Sequence, residues 1–509
     1  MALACAVPAG AAAMAGAACA AGYARDGQVI TVAAGGNLQK ALDAAAPGDT
    51  IVLPAGAAFT GSFVLPAKTG DAAITIRSSA IASLPDGIRV SPAAAASMPK
   101  IVAGRAGQPA IRTAPGAHHY TLAGLEIAPA SGVSVFDLVA LGDGRETSAA
   151  RVPHDLVIDR CYLHGLPGEP LKRLVALNSA GTTVEHSYLS DAKAEGQDSQ
   201  AIAGWNGPGP FQILDNYLEG AGENVIFGGA NPSIPHLIPS DIEVRGNHLA
   251  KPVAWRQAPW AVKNLFELKS ARRVRVDGNV LEDNWLQAQV GFAVLYNCVD
   301  DSGWARVEDV AFTDNIVAHS GSGANVAGDN PAIGCEMSNL VFRNNLWIDI
   351  DGRTWGGNGR LFQVLNGPPG VVIDHNTGQQ SGTLLTLGGR AGASLVLTNN
   401  AALHNDYGII GDGFGVGRPS LDHYAPGSQV ERNAIIALPP GASAAMYPAG
   451  NLFPASLAAA GFVDPAGGDF SLTPSSPLRR AGVGGADVGV DMTVLREHTR
   501  GAVAPGDRR

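Results

Sequence analysis

Apolar and polar residues alternate in short segments that recur along most of this chain. In Ile242-Glu243-Val244-Arg245 and Val274-Arg275-Val276-Asp277, for example, every second residue is apolar, and each segment is followed directly by Gly-Asn. Alternation with a period of two predicts β-strands that bury one face. Gly, Asp and Asn at the segment ends tolerate left-handed backbone and favour tight turns. The pattern therefore predicts a series of strands that each end in a turn.

The Asn of these turns forms a column along the sequence. The residues at its ten positions are Cys161, Ser187, Asn216, Asn247, Asn279, Asn315, Asn345, Asn376, Asn400 and Asn433. Successive members are 24 to 36 residues apart. One strand and turn at intervals near 30 residues indicates a solenoid, whose coils bury their apolar faces by stacking on one another. Stacked Asn side chains can hydrogen-bond from coil to coil, so the column predicts a parallel β-helix.

The remaining segments predict how the solenoid begins and ends. Asn37 can cap a short amphipathic helix that ends at Pro47-Gly48 and would cover the open first coil. We expect a signal peptide at 1–24, the cap and first coils at 25–149, regular coils at 150–435, and a closing segment with a tail at 436–509. The charged end from Arg496 is expected to be frayed.

Length and charge narrow the classes of function. A chain of 509 residues could hold two or three globular domains, but a solenoid can reach this length as one body. The net charge is −10, and basic residues occur only in short runs such as Arg272-Arg273. Nucleic acid binding requires clustered Lys and Arg, so we exclude nucleic acid as a partner. We also expect the protein to be a monomer.

The first residues and the cysteines predict export. The chain carries no charge before Arg25 and resembles a secretory signal, although a basic start is missing. Stable membrane insertion is disfavoured because no apolar run is long and unbroken enough. Cys161 replaces Asn in the column and is expected to be buried, whereas Cys298 and Cys335 lie about one coil apart and could bridge in an oxidising compartment. We expect a secreted or periplasmic protein.

The two ends and the coils together resemble a known superfamily. An opening helix followed by Pro-Gly-Asp-Thr-Ile-Val-Leu, the Asn-bearing coils and the ending Asp-Phe-Ser-Leu are similar to proteins of the pectate-lyase-like superfamily. The resemblance covers nearly the whole chain after the signal. It implies an all-β, right-handed, single-stranded parallel β-helix with an N-terminal helical cap. It does not specify the reaction, because this fold carries lyases, hydrolases, epimerases, esterases and phage adhesins.

All seven tryptophans lie in the middle of the chain. Aromatic faces beside polar groups suit stacking against sugar rings, although any one Trp could equally pack under a long loop. We predict a polysaccharide-binding flank across residues 205–360. The candidate substrate-binding residues are Trp205, Asn206, Trp255, Arg256, Trp260, the two glutamines of Gln287-Ala288-Gln289-Val290, and Trp355.

Two successive coils resemble a family of β-helix lyases. They carry Gly222-Glu223-Asn224-Val225-Ile226-Phe227-Gly228 and Asn264-Leu265-Phe266-Glu267-Leu268-Lys269-Ser270. This pairing is similar to the alginate lyase and chondroitinase B family, and by position it implies that Lys269 is the catalytic base. The reaction would be β-elimination, in which a cation neutralises a uronate carboxylate and Lys269 removes the neighbouring proton. Strand alternation turns Glu267 and Lys269 outward if Phe266 is in the core, but a charged Glu267 would oppose a neutral Lys269.

The chain departs from that family at its metal site. The paired acidic calcium ligands of the family correspond here to Asn264 and Val262, and its arginine falls near Tyr296, where no Arg is present. A calcium site could instead be built from Glu223, Asn264 and Glu267, with Tyr296 as the proton donor. The candidate catalytic residues are therefore Lys269, Tyr296 and Glu267. The alternative interpretation is that Lys269 and Glu267 form only a solvated ion pair.

Other acidic residues keep a hydrolase in consideration. Two groups of acids lie near tryptophans, namely Asp191, Glu195 and Asp198, and the pair Asp300-Asp301. Two acids at a suitable separation would support hydrolysis of a glycosidic bond, although the polygalacturonase signatures Gly-His-Gly and Arg-Ile-Lys are missing. Five histidines at turn positions lack metal-ligand spacing and are interpreted as ordinary coil residues, namely His154, His164, His186, His236 and His248.

The sequence therefore predicts an exported polysaccharide lyase that acts on acidic glycans, with calcium as its candidate cofactor. Two alternatives stay open. One is a glycoside hydrolase on the same fold, and the other is a non-catalytic carbohydrate-binding or cell-surface β-helix protein.

Overall fold

The chain winds into a right-handed parallel β-helix, in which it visits three parallel sheets in turn and then repeats the circuit. The computed structural model describes residues 27–299, 302–392, 395–504 and 507. The predicted fold class is confirmed by these three sheets. The predicted signal peptide at 1–24 and the pair Asp300-Asp301 lie outside the described residues.

Each sheet collects one strand from successive coils. The first sheet has 14 strands, namely Val29–Thr31, Thr50–Leu53, Ile74–Ser78, His118–Ala123, His154–Asp159, Ala180–Glu185, Phe211–Leu214, Ser240–Arg245, Ala271–Asp277, Arg306–Thr313, Glu336–Arg343, Val371–Asp374, Val396–Thr398 and Gln429–Glu431. The second sheet, across the Asn turn, has 13 strands, namely Ala58–Gly61, Lys100–Ala103, Glu126–Pro129, Tyr162–His164, Tyr188–Ala192, Tyr217–Gly220, His248–Ala250, Val280–Asn284, Ile316–Ser320, Leu346–Ile350, Thr377–Gln380, Ala401–Leu403 and Ala434–Ile436. The third sheet has 12 strands, namely Phe63–Leu65, Ile111–Thr113, Asp137–Leu141, Arg173–Leu177, Gln200–Gly204, Glu223–Phe227, Asn264–Leu268, Phe292–Tyr296, Ser322–Val326, Phe362–Leu365, Leu385–Gly388 and Ile409–Gly411.

Helices lie at the ends and corners of the solenoid. The α-helices are Leu38–Ala44, Arg418–Tyr424, Leu457–Ala460 and Met492–His498, and the 3₁₀ helices are Ile81–Ser83, Pro92–Ser97, Ala149–Arg151, Val253–Gln257, Pro331–Ile333, Ala444–Met446 and Val483–Gly485. The Asn37 side chain accepts from the Lys40 N–H at 2.9 Å. Leu38 and Leu42 of this helix belong to the main core, which confirms the helical cap. Among the described residues, no helix is both long and apolar enough to cross a membrane.

The Asn column forms the predicted hydrogen-bonded ladder. The N–H and Nδ2 of Asn247 both donate to Asn279 Oδ1, at 2.9 and 3.0 Å, and Nδ2 also donates to the Ile213 carbonyl at 2.7 Å. The same pattern continues through the later members of the column. The residue before the Asn has a positive φ, as at Asp314 with 56°, which confirms the left-handed turn. Asn451 adds a further step only 18 residues after Asn433, a spacing too short for the sequence period to show.

The cysteines occupy the expected environments. Cys161 is fully buried in the ladder, and its N–H donates to Ser187 Oγ at 3.0 Å. Cys298 and Cys335 form a disulfide with Cα atoms 6.0 Å apart. The structure therefore confirms both the buried thiol and the bridge between neighbouring coils.

The C-terminal segment packs against the coils. After the antiparallel strands Phe462–Asp464 and Asp469–Leu472, the chain returns along the Asn turns toward earlier coils. Asp507 accepts from Arg89 Nη1 at 2.5 Å and lies 3.2 Å from His248. Arg89 is 5% exposed and requires an anionic partner. The expectation of a frayed end is therefore wrong for the described residues up to 504 and for Asp507.

We predict that Asn279→Ala lowers Tm more than Asn279→Ser. Alanine leaves the Asn247 N–H and the Val244 carbonyl without their buried partners, and each loss costs about 1–3 kcal/mol. Serine keeps an acceptor, as Ser187 does for Cys161 at the same ladder position. Thermal unfolding followed by circular dichroism measures both variants. Equal losses would contradict a hydrogen-bonding role for this position.

Candidate active site

Two glutamates lie side by side on the outward face of the third sheet. Glu223 is paired in register with Asn264, and Ile226 with Glu267. Phe266, next to Glu267, belongs to the core, so alternation turns Glu267 outward as predicted. Both glutamates nevertheless have an exposed fraction of 0%. The site is therefore a shielded group of charges on the outside of the solenoid wall.

Two lysines accompany this carboxyl pair. Lys269 Nζ lies 3.5 Å from Glu267 Oε1. Lys263 Nζ lies 3.8 Å from Glu223 Oε1 and 2.6 Å from Asp198 Oδ1. Burial opposes the charging of Lys263, but the carboxylates of Asp198 and Glu223 outweigh burial and raise its pKa. Lys263 is therefore a fixed positive charge at the edge of the site.

Glu267 holds a proton at neutral pH. Burial is the main cause that raises its pKa to about 8, and the adjacent Glu223 carboxylate adds to the rise. The charges of Lys269 and Lys263 lower it only in part. The Glu223 carboxylate thus acts in the same direction as burial and favours the protonated form of Glu267.

Several buried oxygens here lack a protein donor. They are Gln200 Oε1, Glu223 Oε1, Asn264 Oδ1, and Glu267 Oε1 and Oε2. Buried polar atoms are rarely left unpaired. A proton on the carboxyl pair satisfies part of this set, and a hard cation would satisfy more of it, because Ca²⁺ takes carboxylate and amide oxygens as ligands. The donor set therefore fits calcium chemically.

A buried lysine supports the strands below the carboxyl pair. Lys251 Nζ donates to the carbonyls of Gly220, Gly222 and Asn264 and to Asn224 Oδ1, at 2.6 to 3.2 Å. Burial lowers its pKa to about 7. Lys251 connects the starts of the two site strands. The sequence contained no periodic feature that distinguished it from a surface lysine.

Tyr296 does not join the site. It is paired in register with Leu268, a core residue, and not with Glu267. Its ring stacks on Phe342 with centroids 5.6 Å apart, and burial raises its pKa far above the ordinary range. The expected role of Tyr296 as a proton donor is contradicted by this inward placement. Leu295 holds the outward position beside Glu267.

Most of the predicted aromatic flank is packed beneath the loops. Trp255 and Trp355 are 9% and 8% exposed and belong to one cluster with Val262. The Arg256 guanidinium lies 5.2 Å from the Trp355 ring centroid. Trp260 packs against the same cluster but stays half-buried. The alternative that these tryptophans pack under loops therefore holds for Trp255 and Trp355.

The other predicted substrate-binding residues are divided between exposed and buried positions. Asn206 is fully buried, and its Nδ2 donates to the Glu146 carbonyl at 3.0 Å. It shapes its loop and is not available to a ligand, which corrects the expectation. Gln287 is exposed and accepts from the Val262 N–H at 2.9 Å, and Gln289 is half-buried.

Trp205 belongs to a positively charged group that the sequence did not reveal. The Arg173 guanidinium lies 4.8 Å from the Trp205 ring centroid and 2.9 Å from Asp137 Oδ1. Lys172 lies 5.6 Å from the ring centroid of the exposed Phe136. Burial, followed by the charge of Arg173, lowers the pKa of Lys172. In the sequence, the adjacency of Lys172 and Arg173 was the feature that could have indicated this group.

One register column connects this group with the carboxyl pair. It crosses five coils of the third sheet through Asp137, Arg173, Gln200, Glu223 and Asn264. Neighbouring strands are about 4.8 Å apart, so the column is about 19 Å long. That length suits an extended chain of sugars better than a single sugar.

Two of the three described acids considered for hydrolysis are paired with lysines. Asp191 Oδ1 lies 2.7 Å from Lys193 Nζ, and Asp198 Oδ1 lies 2.6 Å from Lys263 Nζ. Glu195 is exposed and pairs with Trp260 through its backbone.

No protein-family profile and no curated protein matches this chain. Solved structures do match it. An alginate lyase from Paenibacillus sp. str. FPU-7 is 14% identical over 80% of this chain and 99% of its own, with a TM-score of 0.30. A mannuronic acid specific family 6 polysaccharide lyase from human gut microbiota is 12% identical over 82% and 89%, with a TM-score of 0.40. The GH87 α-1,3-glucanase of Streptomyces thermodiastaticus strain HF3-3 is 12% identical over 79% and 68%, with a TM-score of 0.46. Similarity this low assigns neither a family nor an activity to this chain.

We predict that Glu267→Gln stabilises the protein at pH 8 and not at pH 4. The folded carboxyl keeps its proton up to about pH 8, whereas the unfolded one loses it near pH 4.3. Stability of the native protein therefore falls as the pH rises between these values. Glutamine removes this cost, with an expected gain of about 4–5 kcal/mol at pH 8.

The measurement is Tm against pH in the presence of a calcium chelator. Glu336→Gln is the control, because the Glu336 side chain is 71% exposed and its replacement should change little. A Tm difference between Glu267→Gln and the unmodified protein that does not vary with pH would contradict the buried protonated carboxyl.

Proposed function

We propose that this protein is an exported, monomeric polysaccharide lyase that cleaves an acidic glycan by β-elimination at Glu223, Glu267 and Lys269. The observation that carries the proposal is the shielded carboxyl pair, whose oxygens lack protein donors while Lys263 and Lys269 lie within 4 Å. Buried titratable groups with shifted pKa values and incomplete hydrogen bonding are typical of functional sites.

The register column supplies the binding surface. Arg173 and Lys172 provide positive charge, and the half-buried Trp205 ring provides a flat apolar face beside it. An acidic sugar offers both a carboxylate and a ring face, so this combination favours an acidic glycan over a neutral one. The chain of sugars would then lie along the third sheet, with one uronate at Lys269. Because Glu267 is 0% exposed, the residues that cover it must move aside before it contacts that uronate.

The two residues at the reacting sugar have complementary roles. Glu267, as the neutral acid, donates a hydrogen bond to the uronate carboxylate and stabilises the negative charge that develops on it. Lys269 Nζ, once it has released its own proton, takes the proton from the adjacent carbon. The released electron pair forms the C=C bond, the glycosidic C–O bond breaks, and the leaving oxygen takes a proton from water. A protonated Glu267 carries no negative charge, so it does not favour the charged form of Lys269.

Calcium would be held by Glu223, Asn264 and Glu267, whose oxygens lack donors. When bound, it would supply the positive charge that neutralises the substrate carboxylate. The substrate carboxylate could therefore be stabilised either by the proton on Glu267 or by a cation that these residues hold.

Export is proposed from the disulfide. Cys298 and Cys335 are bridged, and such bonds persist mainly in oxidising compartments. We therefore place the protein outside the cytoplasm, either secreted or periplasmic.

A glycoside hydrolase is a weaker candidate for the same carboxyl pair. A glycosidase needs two acids on either side of the glycosidic bond, about 5–9.5 Å apart, whereas Glu223 and Glu267 are both fully buried and close enough for the charge of one to raise the pKa of the other. A protein that binds glycans without cleaving them is the other alternative. The experiment below separates all three.

We predict that Lys269→Met abolishes the formation of unsaturated, ultraviolet-absorbing ends. The substrates are alginate, pectate, chondroitin, hyaluronan and a neutral glycan, and reducing ends are measured in parallel. Loss of the base should lower kcat about 10²–10⁴-fold while binding of the glycan persists. Lys40→Met, at an exposed lysine, is the matched control and should stay fully active.

Each other result contradicts part of the proposal. Reducing ends without absorbance would establish hydrolysis. Binding without either product would establish the non-catalytic alternative. Unsaturated ends that persist in Lys269→Met would remove Lys269 from its role as base.

We predict that Ca²⁺ binding at pH 7 releases up to one proton. Glu267 is protonated at that pH and must ionise to become a ligand. Isothermal titration in two buffers with different ionisation enthalpies measures the proton count. Glu223→Gln should abolish binding, and Glu336→Gln should not. Binding without proton release would show that calcium does not use Glu267.

A further inference from the structure

We propose that His118, His119 and His154 form a binding site for a late first-row divalent transition metal, such as Zn²⁺ or Ni²⁺. The site lies on the first sheet, outside the carboxyl pair of the third sheet, and is independent of the proposed lyase activity. The three side chains offer ring nitrogens that all lie within 4.8 Å of one another.

Two coils bring the three rings together. His118 and His154 are partners in register at the starts of adjacent strands, and their rings stack with centroids 4.7 Å apart and an angle of 7°. His119 and Asp155 occupy the same position on the two strands, between register pairs, and both have a positive φ, of 56° and 55°. In a regular strand successive side chains point to opposite faces, and the left-handed residue interrupts this alternation. The rings of His118 and His119 therefore lie close together, with centroids 4.9 Å apart.

The ring nitrogens face one another closely enough for a shared ion. His118 Nδ1 and His119 Nδ1 are 2.7 Å apart. Two imidazole nitrogens at this distance need a proton or a metal between them, because both otherwise present lone pairs. Zinc binds nitrogen at 2.0–2.1 Å, so tetrahedral ligands are about 3.3 Å apart. The three ring nitrogens lie within 4.8 Å of one another, so displacements of less than about 2 Å would bring them to the spacing of tetrahedral ligands.

A carboxylate already supports this arrangement. Asp155 Oδ2 lies 2.7 Å from His154 Nδ1 and 3.7 Å from His119 Nε2. A carboxylate that accepts the N–H of one ring nitrogen orients the other nitrogen toward a metal. On the next coil, Gly181 has a φ of 54°, and a Cβ there would lie 2.8 Å from Asp155 Oδ1. Glycine at this position leaves room for the carboxylate.

The ligand chemistry selects the ion. Neutral imidazole suits Zn, Ni and Cu, whereas Ca²⁺ and Mg²⁺ prefer oxygen ligands. The side chains of His119 and His154 are 24% and 42% exposed, so an ion can enter from solvent. Once bound, it would join strands His118–Ala123 and His154–Asp159 of neighbouring coils. The site would therefore stabilise the N-terminal coils in proportion to metal concentration.

The experiment uses the full chain without a histidine tag, after treatment with a chelator. Zn²⁺ is titrated by calorimetry at pH 7.5, and Tm is measured with and without Zn²⁺. We expect one ion per chain and a rise in Tm. His119→Asn and His154→Ala should each weaken binding at least tenfold, and Asp155→Asn about tenfold. His423→Ala, at an exposed histidine elsewhere, should leave binding unchanged, and Ca²⁺ should not displace Zn²⁺.

Three results would overturn the proposal. The first is the absence of Zn²⁺ binding by natively folded protein. The second is binding that His119→Asn and His154→Ala leave intact while their circular dichroism spectra stay native. The third is binding that disappears in Glu223→Gln, which would place the ion at the carboxyl pair. Asn is used at position 119 because it tolerates the left-handed backbone there.

Discussion

Coil-to-coil hydrogen bonding through the Asn ladder is the constraint on which the rest of the structure depends. Asn247, for example, donates hydrogen bonds to the next Asn of the column, to a carbonyl of the preceding coil and to a carbonyl of its own turn. A shift of one residue in any coil would break this set and exchange the inner and outer faces of its strand. Because the register is fixed in this way, residues at equivalent outward positions meet in straight columns. Glu223 meets Asn264 in one column, and His118 meets His154 in another.

The sequence revealed the features that repeat and those that depend on one strand alone. The Asn column and the alternating apolar residues predicted the solenoid because every coil carries the same local pattern. Alternation within one strand was also enough to turn Glu267 outward. Tyr296 was misplaced because its orientation depends on its register with Leu268 on the preceding coil, and counting residues along the chain does not give that register.

Other features are non-local and left no pattern in the sequence. Asp507 pairs with Arg89 across 418 residues, so the C-terminal segment looked like a solvated tail. The left-handed position that His119 occupies recurs on later coils at Asp155 and Gly181, but different residue types fill it, and the scattered histidines therefore seemed unrelated. The buried Trp255 and the exposed Gln287 cannot be distinguished by composition, since their burial is decided by loops that fold over the sheet.

The shielding of the carboxyl pair connects stability with chemistry. An exposed Glu267 beside Lys269 would be an ordinary ion pair, worth about 0–1 kcal/mol. Burial changes its charge state instead, because desolvation and Glu223 both favour the protonated acid. The solenoid can carry this local cost because many stacked coils contribute to its stability. The solenoid can therefore remain folded despite the stability that these unpaired oxygens cost, whereas a small domain has less stability to lose.

Columns also explain how one solenoid can carry two unrelated sites. A residue on an outward column contacts the same column on adjacent coils, but the core separates it from the other sheets. The carboxyl pair belongs to the third sheet and the histidines to the first, and each group draws on its own register pairs. Their only common support is the stacking of the coils. Changes at one column should therefore leave the chemistry of the other intact, and this independence allows substitutions at the two sites to be interpreted separately.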